Sequence, residues 1–299
     1  WGAIPIFCDI DKETFCINPK LIKSKISKKT RAIMAIDIFG QSSDINNIKK
    51  IIKNKKIILI SDSAQAIGSK YYGKFSGTVS DIGGFSFNYH KHIHTGEGGV
   101  ILTNDKELKR RAFIGVDKAW QRHLPLEQRF YEFLAPNVRF NALQAAVLRP
   151  QLTGLDSLIE KKRKRAELLD KLFHPHNEII KIQKKLDGAY CSYYSYPLYM
   201  ENTQDRDRLV KKLKKDYGII CAYGYANPTP LYKCVNALID PKKYGKSFAY
   251  SHREYPSGTS PNAEDLLSRS FLISFIEIYS IEETQEIGER VIAAIRELF

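Results

Sequence analysis

Apolar side chains recur along the first hundred residues in two alternating rhythms, and their succession predicts an architecture. Ile4 to Phe7, Ala32 to Ile38 and the run opening at Ile57 are short and almost wholly apolar, the pattern of strands buried on both faces. Between the first two, Asn18-Pro19 opens a helix with Leu21, Ile22 and Ile26 on one face. Before the third, Asp44 caps a helix carrying Ile45, Ile48 and Ile51. Strands alternating with helices imply a mainly parallel sheet covered by helices. A longer helical pattern runs from Asn141 past Leu155 and Leu158 toward Leu168, with a kink expected at Pro150.

Beyond about residue 175 the rhythm changes. Tyr193 to Tyr199 reads as a strand, Leu209, Val210 and Leu213 mark a helix closed by Gly218, and Ser280 with Glu283 forms a capping box before a stripe of Ile287, Val291, Ile295 and Leu298. Tyrosines crowd residues 190–199 and 223–225, where core packing is their default role. The expected fold class is therefore α/β, with a three-layer large domain over residues 1–150, a linking helical region over 151–174 and a smaller α/β domain over 175–299.

Two of the apolar runs end in chemistry. Ile57-Ile58-Leu59-Ile60 leads through Ser61 into Asp62, so a carboxylate stands at the carboxyl end of a strand, where sites in such sheets gather. Lys91 lies between the apolar Phe85-Ser86-Phe87 and the turn Gly96-Glu97-Gly98-Gly99, whose glycines permit positive φ and close approach before the strand Val100 to Thr103. Singly, each has an ordinary explanation, the lysine as a solvated surface residue and the aspartate as a helix cap. Together they read as a pyridoxal phosphate site. A Schiff-base lysine needs a shielded place, and the cofactor ring needs a carboxylate to keep its nitrogen protonated.

Composition narrows the other classes. The 299 residues allow a large core and two domains. No apolar span is long enough for a bilayer and the start is not signal-like, so a cytoplasmic protein with no membrane partner is expected. Cys8, Cys16, Cys191, Cys221 and Cys234 are scattered and form no Cys-x-x-Cys motif, as reduced thiols would be. The net charge of +14 arises from 47 Lys plus Arg against 33 Asp plus Glu. Lysines such as Lys211, Lys212, Lys214 and Lys215 fall on solvated helix faces, and no aromatic-basic interleaving accompanies them, so nucleic acid is not an expected partner. No Gly-x-Gly-x-x-Gly follows a strand, which argues against a dinucleotide-binding dehydrogenase. His90, His92 and His94 lack a carboxylate or cysteine at ligand spacing, so structural or substrate-contacting roles are expected and no metal.

Three motifs, Ser61-Asp62-Ser63-Ala64-Gln65-Ala66-Ile67-Gly68, Asp81-Ile82-Gly83-Gly84-Phe85-Ser86-Phe87, and Lys91 followed by Thr95-Gly96-Glu97-Gly98-Gly99, carry a resemblance in both order and spacing. The chain resembles the DegT/DnrJ/EryC1/StrS sugar aminotransferases, a branch of the fold-type I pyridoxal phosphate enzymes. A weaker echo runs through Asn137-Val138-Arg139-Phe140-Asn141-Ala142-Leu143-Gln144 and thins toward the C-terminus.

The resemblance implies Lys91 as the Schiff-base lysine, Ser86 as the phosphate anchor five positions earlier, Asp62 as partner of the pyridine nitrogen and Gln65 beside the ring's phenolic oxygen. It also implies that Asn137 reaches the cofactor phosphate of a neighbouring subunit, hence a homodimer with shared active sites. The implied reaction moves an amino group, from glutamate, to a keto sugar that is most often nucleotide-linked. The physics of each role is independent of the resemblance. A carboxylate at the ring nitrogen makes the ring an electron sink, a hydroxyl to phosphate is a charge-assisted bond, and a released lysine amine can carry a proton.

Some relatives carry histidine at the lysine position and dehydrate sugars instead. His90 and His92 flank that position here, yet five steps forward from Ser86 and five back from Gly96 both arrive at Lys91, so transamination is expected. A catalytically silent relative that keeps the fold is the other alternative. Trp1-Gly2-Ala3-Ile4-Pro5-Ile6-Phe7 matches a point well inside the family's large domain. An N-terminally truncated fragment is therefore expected, without the phosphate-cradling loop and the stacking aromatic ring that the family places earlier, both of which strengthen cofactor binding.

Overall fold

A computed structural model describes residues 3–223, 229–240, 243, 253–273 and 276–299. Tyr225, in the second tyrosine-rich stretch, lies outside them. The chain forms two compact units that are not consecutive stretches of sequence: one comprises Lys29–Glu160 and Asp187–Tyr194, the other Trp1–Lys28, Lys161–Leu186 and Ser195–Phe299. This division differs from the expected boundaries at 150 and 174. The N-terminal segment joins the C-terminal residues because the Asp9 carboxylate accepts the Asn262 and Ala263 N–H groups at 2.8 and 3.0 Å, capping the first turn of the helix Pro261–Arg269.

In chain order the strands are β1 (Ala32–Ile36), β2 (Ile58–Asp62), β3 (Lys70–Tyr71), β4 (Lys74–Phe75), β5 (Ile82–Ser86) and β6 (Gly99–Leu102). After them come β7 (Lys181–Ile182), β8 (Ala189–Tyr190), β9 (Tyr196–Tyr199), β10 (Ala222–Tyr223) and β11 (Ser270–Ile273). The first unit holds the sheet β1-β2-β5-β6, in which β1, β2 and β5 run parallel and β6 antiparallel, and a smaller sheet β4-β3-β8. Helix α1 (Pro19–Lys25) starts at Asn18 and α2 (Ile45–Ile52) at Asp44, whose side chains accept the Lys20 and Asn47 N–H groups as the capping residues predict. Buried Ile33, Ala35 and Leu59 supply the core face of β1 and β2, whereas Met34, Ile36 and Ile58 on the alternate positions are exposed.

Ile4 to Phe7 is not a strand: Ile4 and Ile6 are exposed, and Phe7 packs its ring at 5.0 Å from Tyr232 and 5.1 Å from Tyr255. An apolar run of four is satisfied as well by aromatic packing as by a sheet. Helix α3 (Lys106–Gly115) follows β6, and helix α4 (Ala142–Phe173) continues through Pro150, which lacks an N–H donor but leaves the helix unbroken.

The second unit is built on the antiparallel sheet β10-β11-β9-β7. Helix α5 (Thr203–Tyr217) ends at Gly218, whose φ of 70° is the left-handed cap predicted. Helix Ile281–Leu298 has the full Ser280–Glu283 capping box. Its buried residues are Thr284, Gly288, Val291, Ile292, Ala294 and Ile295; Val291 and Ile295 of the predicted stripe are among them, Ile287 and Leu298 are half-buried, and Gly288 lies so close to Leu172 that a Cβ there would fall 2.5 Å from Leu172 Cδ1. Among the described residues no helix is long and apolar enough to cross a membrane.

Candidate active site

The three parallel strands deliver polar residues to one end of the sheet. β1 runs directly into Asp37, β2 ends on Asp62 and β5 ends on Ser86. Asp62 is paired with Gly84 across β2 and β5, so Asp62, Gly84 and Ser86 share one face of the sheet, with Ser86 two residues farther along. Gly84 matters because it has no side chain: a Cβ built there meets nothing within 4 Å. Open space therefore lies beside the Asp62 carboxylate and before the Ser86 hydroxyl. On the opposite face Gly83 is indispensable, since a Cβ there would fall 1.9 Å from the Gly77 carbonyl oxygen.

The turn after β2 fixes the acid and the amide. Asp62 Oδ1 accepts the Ala64 N–H at 3.1 Å, an Asx-turn that orients the carboxylate. Gln65 is buried, and its Oε1 accepts the Phe39 N–H at 2.8 Å, which assigns the remaining amide nitrogen, Nε2, as a donor. Behind them Asp37 is fully buried. It accepts from Ser63 Oγ at 2.5 Å and from the Ser43 N–H at 2.7 Å, and its own N–H donates to the Asp62 carbonyl at 2.9 Å. Burial raises the Asp37 carboxyl to about 7, the hydrogen bonds oppose that rise, and the charge of Asp62 adds to it.

Lys91 is carried on the loop from β5 to β6. Backbone bonds Phe87 N–H to Gly98 O, Thr95 N–H to Phe87 O and Tyr89 N–H to Gly96 O close this loop, and Lys91 N–H donates to Asn88 O at 2.9 Å. Ser86 Oγ accepts the Asn88 N–H at 3.2 Å, so its hydroxyl proton remains available to donate. The half-buried Lys91 amine sits 4.6 Å from the centroid of the Tyr194 ring. Burial pulls its pKa below the ordinary lysine range, and the Asp62 charge resists that fall.

Asp62, Gln65, Ser86 and Lys91 thus gather at one end of the parallel sheet. Asn137 does not join them. It is exposed, in a bridge with Asp117, and among the described residues no hydrogen bond links it to the other four. The segment bearing it is tied down by Asp117, which pairs with both Arg122 and Arg139, and by Glu132, which pairs with Arg110 at 2.6 Å. Of the histidines, His92 lies 3.0 Å through Nε2 from the Ser192 carbonyl and His90 stacks on Tyr89. Three further residues shape the site without having been singled out from sequence. Asp37 carries the same signal as Asp62, an acid directly after an apolar run; Gly84 is a bare position within a strand; Tyr194 is one of the crowded tyrosines of 190–199, with nothing local to set it apart from the others.

A flat, phosphorylated aldehyde such as pyridoxal phosphate fits this arrangement. The side-chain-free face over Gly84 has room for a ring, with a carboxylate at one side, a hydroxyl donor at the strand end for a phosphate and a lysine amine within the field of the carboxylate.

The sequence profile of the DegT/DnrJ/EryC1/StrS aminotransferase family matches residues 1–292. GDP-perosamine synthase of Escherichia coli O157:H7 is 35% identical over 210 residues, covering 70% of this chain and 56% of that protein. GDP-4-keto-6-deoxy-D-mannose 3-dehydratase of Yersinia pseudotuberculosis is 34% identical over 238 residues, covering 74% and 59%. The solved structure of the E. coli GDP-4-keto-6-deoxy-D-mannose-3-dehydratase with bound hydrated PLP matches with a TM-score of 0.78 at 25% identity, over 95% of this chain and 73% of that one. The chain spans less than two thirds of the length of both sequence relatives.

Proposed function

The chain belongs to the DegT/DnrJ/EryC1/StrS aminotransferase family, and from that premise we propose that the whole protein transfers an amino group from glutamate to a nucleotide-linked keto sugar, using pyridoxal 5'-phosphate held by Asp62, Gln65, Ser86 and Lys91. The observation that carries this reading is the half-buried Lys91 amine, within the field of Asp62 and beside the open face over Gly84. When bound, the cofactor supplies an electrophilic aldehyde and an electron-withdrawing ring. The protein's residues do the rest. Asp62, oriented by Ala64, holds the proton on the ring nitrogen, and its charge makes that protonated state the favoured one. Gln65 Nε2 donates to the ring oxygen, while Ser86 Oγ donates to the phosphate. Lys91 Nζ would attach the cofactor and, once freed by the incoming amine, would carry a proton between the substrate carbon and the cofactor's former aldehyde carbon. Its lowered pKa favours the neutral amine that this work needs.

Asn137 enters this proposal as a residue contributed to the site of a second copy in a homodimer. Its exposure supports that role, as does the apolar surface around it: Leu134 is 88% exposed and Leu143 80%. Dehydration of the sugar, the activity named for the Yersinia relative, is the competing reaction. The lysine at position 91 argues for transfer.

The full-length protein, supplied with pyridoxal phosphate, glutamate and a panel of nucleotide-linked keto sugars that includes GDP-4-keto-6-deoxy-D-mannose, tests the proposal. Sugar-dependent release of 2-oxoglutarate with matching amino-sugar formation is expected. A product that has lost a hydroxyl and gained no amine would overturn it.

A further inference from the structure

Tyr194 reaches the site from a segment remote in sequence. Residues 187–194 belong to the parallel-sheet unit, and their last stretch is pinned to the turn after β1. Ser192 N–H donates to the Gly40 carbonyl at 2.9 Å, Tyr194 N–H donates to the Phe39 carbonyl at 3.0 Å, and Ser69 Oγ lies 2.8 Å from Ser192 Oγ. The approach at Gly40 is so close that a Cβ there would meet the Tyr193 nitrogen at 2.4 Å. Tyr193 itself holds a φ of 51°, a left-handed conformation costly for a tyrosine, and the surrounding bonds over-determine it. From the other side His92 Nε2 approaches the Ser192 carbonyl at 3.0 Å. One residue's backbone thus serves two purposes. The N–H of Phe39 fixes Gln65, and the carbonyl of Phe39 fixes Tyr194, whose ring lies under the Lys91 amine at 4.6 Å.

We propose that the face of Tyr194 holds the Lys91 ammonium in the cofactor-free chain and again each time the released amine carries a proton, so that Tyr194 is a positioning residue acting through Lys91. The inference rests on the role of Lys91 proposed above. A lysine released in mid-reaction would otherwise swing on four flexible bonds into solvent. An aromatic face at this distance attracts the ammonium through its quadrupole while excluding water, and so keeps the nitrogen close to the acid of β2. Among the described residues, Asp62 from β2 acts on the amine through its charge, the Tyr194 ring lies against it, and His92 stands behind that ring, centroid to centroid at 6.0 Å.

The test separates the aromatic face from mere bulk. Competitive acetylation with acetic anhydride across pH, read by mass spectrometry of the Lys91 peptide in the full chain before pyridoxal phosphate is added, gives the midpoint of the amine. Tyr194→Phe keeps the ring and is expected to leave the midpoint where it is. Tyr194→Leu keeps bulk and removes the quadrupole, and is expected to lower the midpoint by about half to one pH unit. An unchanged or raised midpoint in Tyr194→Leu, or equal shifts in both variants, would overturn the proposal. If the leucine chain does not fold, Tyr194→Met carries the same expectation. Because the labelling needs no cofactor, failure of pyridoxal phosphate to attach at Lys91 would sink the proposed function and leave this outcome readable.

Discussion

In the parallel sheet, β2 and β5 end on Asp62 and Ser86 and β1 leads into buried Asp37, whereas in the antiparallel sheet the polar groups beside β9 and β11 are consumed by their neighbours. There Arg269 makes a two-pronged pair with Asp265 at 2.9 and 3.0 Å and donates to the Met200 carbonyl, and Arg206 donates to the Ser270 carbonyl at 2.9 Å and pairs with Asp207. β11 is buried along its whole length. The contrast separates two uses of polarity. In one unit buried arginines close the ends of strands and hold the fold; in the other a carboxylate and a hydroxyl at strand ends and an amine on the following loop retain hydrogen-bonding capacity for a ligand.

Substitutions sharpen this contrast in order of expected effect. Asp62→Asn keeps the acceptor for the Ala64 N–H and removes only the charge, so folding is expected to survive while amino transfer falls by about two to three orders of magnitude, measured as 2-oxoglutarate release. Gly83→Ala acts on structure instead. With a backbone oxygen 1.9 Å from the new Cβ, a loss of roughly 3 kcal/mol is expected in urea unfolding, and a neutral result would show that the β5 backbone yields.

Asp37 offers a pH-dependent test. Its carboxyl titrates near 7 in the folded chain against an ordinary 3.8, so below about pH 4 the protonated acid contributes its full stability. Between about pH 4 and 7 the unfolded chain releases the proton first, and stability falls by up to ~1.4 kcal/mol per pH unit before levelling. Asp37→Asn mimics the protonated acid toward Ser43 and Ser63 and is expected to flatten that slope. Parallel pH profiles for parent and variant would contradict the assignment. Ser280→Ala, in the other unit, removes one half of the capping box and is expected to cost about 1 kcal/mol in thermal unfolding, with no change in the pH at which Lys91 titrates.

Much of the site was legible in the sequence because its signals are local. An acid after Ile57-Ile58-Leu59-Ile60 and a lysine before a run of glycines identify themselves by what adjoins them, and Asn18, Asp44, Gly218 and Ser280 did so as caps. Asp37 is equally local, but its only visible mark is the short apolar run before it. What could not be read depends on distant chain. The backbone of Phe39 joins Gln65, 26 residues away, to Tyr194 on a segment that returns after the whole of α4. The same limit explains Ile4 to Phe7, where Phe7 finds aromatic rings rather than a neighbouring strand.

Borohydride reduction of the full-length protein mixed with pyridoxal phosphate, followed by peptide mass mapping, bears most directly on the central claim. The pyridoxyl mass is expected on Lys91, with absorbance of the bound cofactor lost in Lys91→Ala and shifted in Asp62→Asn. A label spread over other lysines, or an identical spectrum in Lys91→Ala, would contradict it.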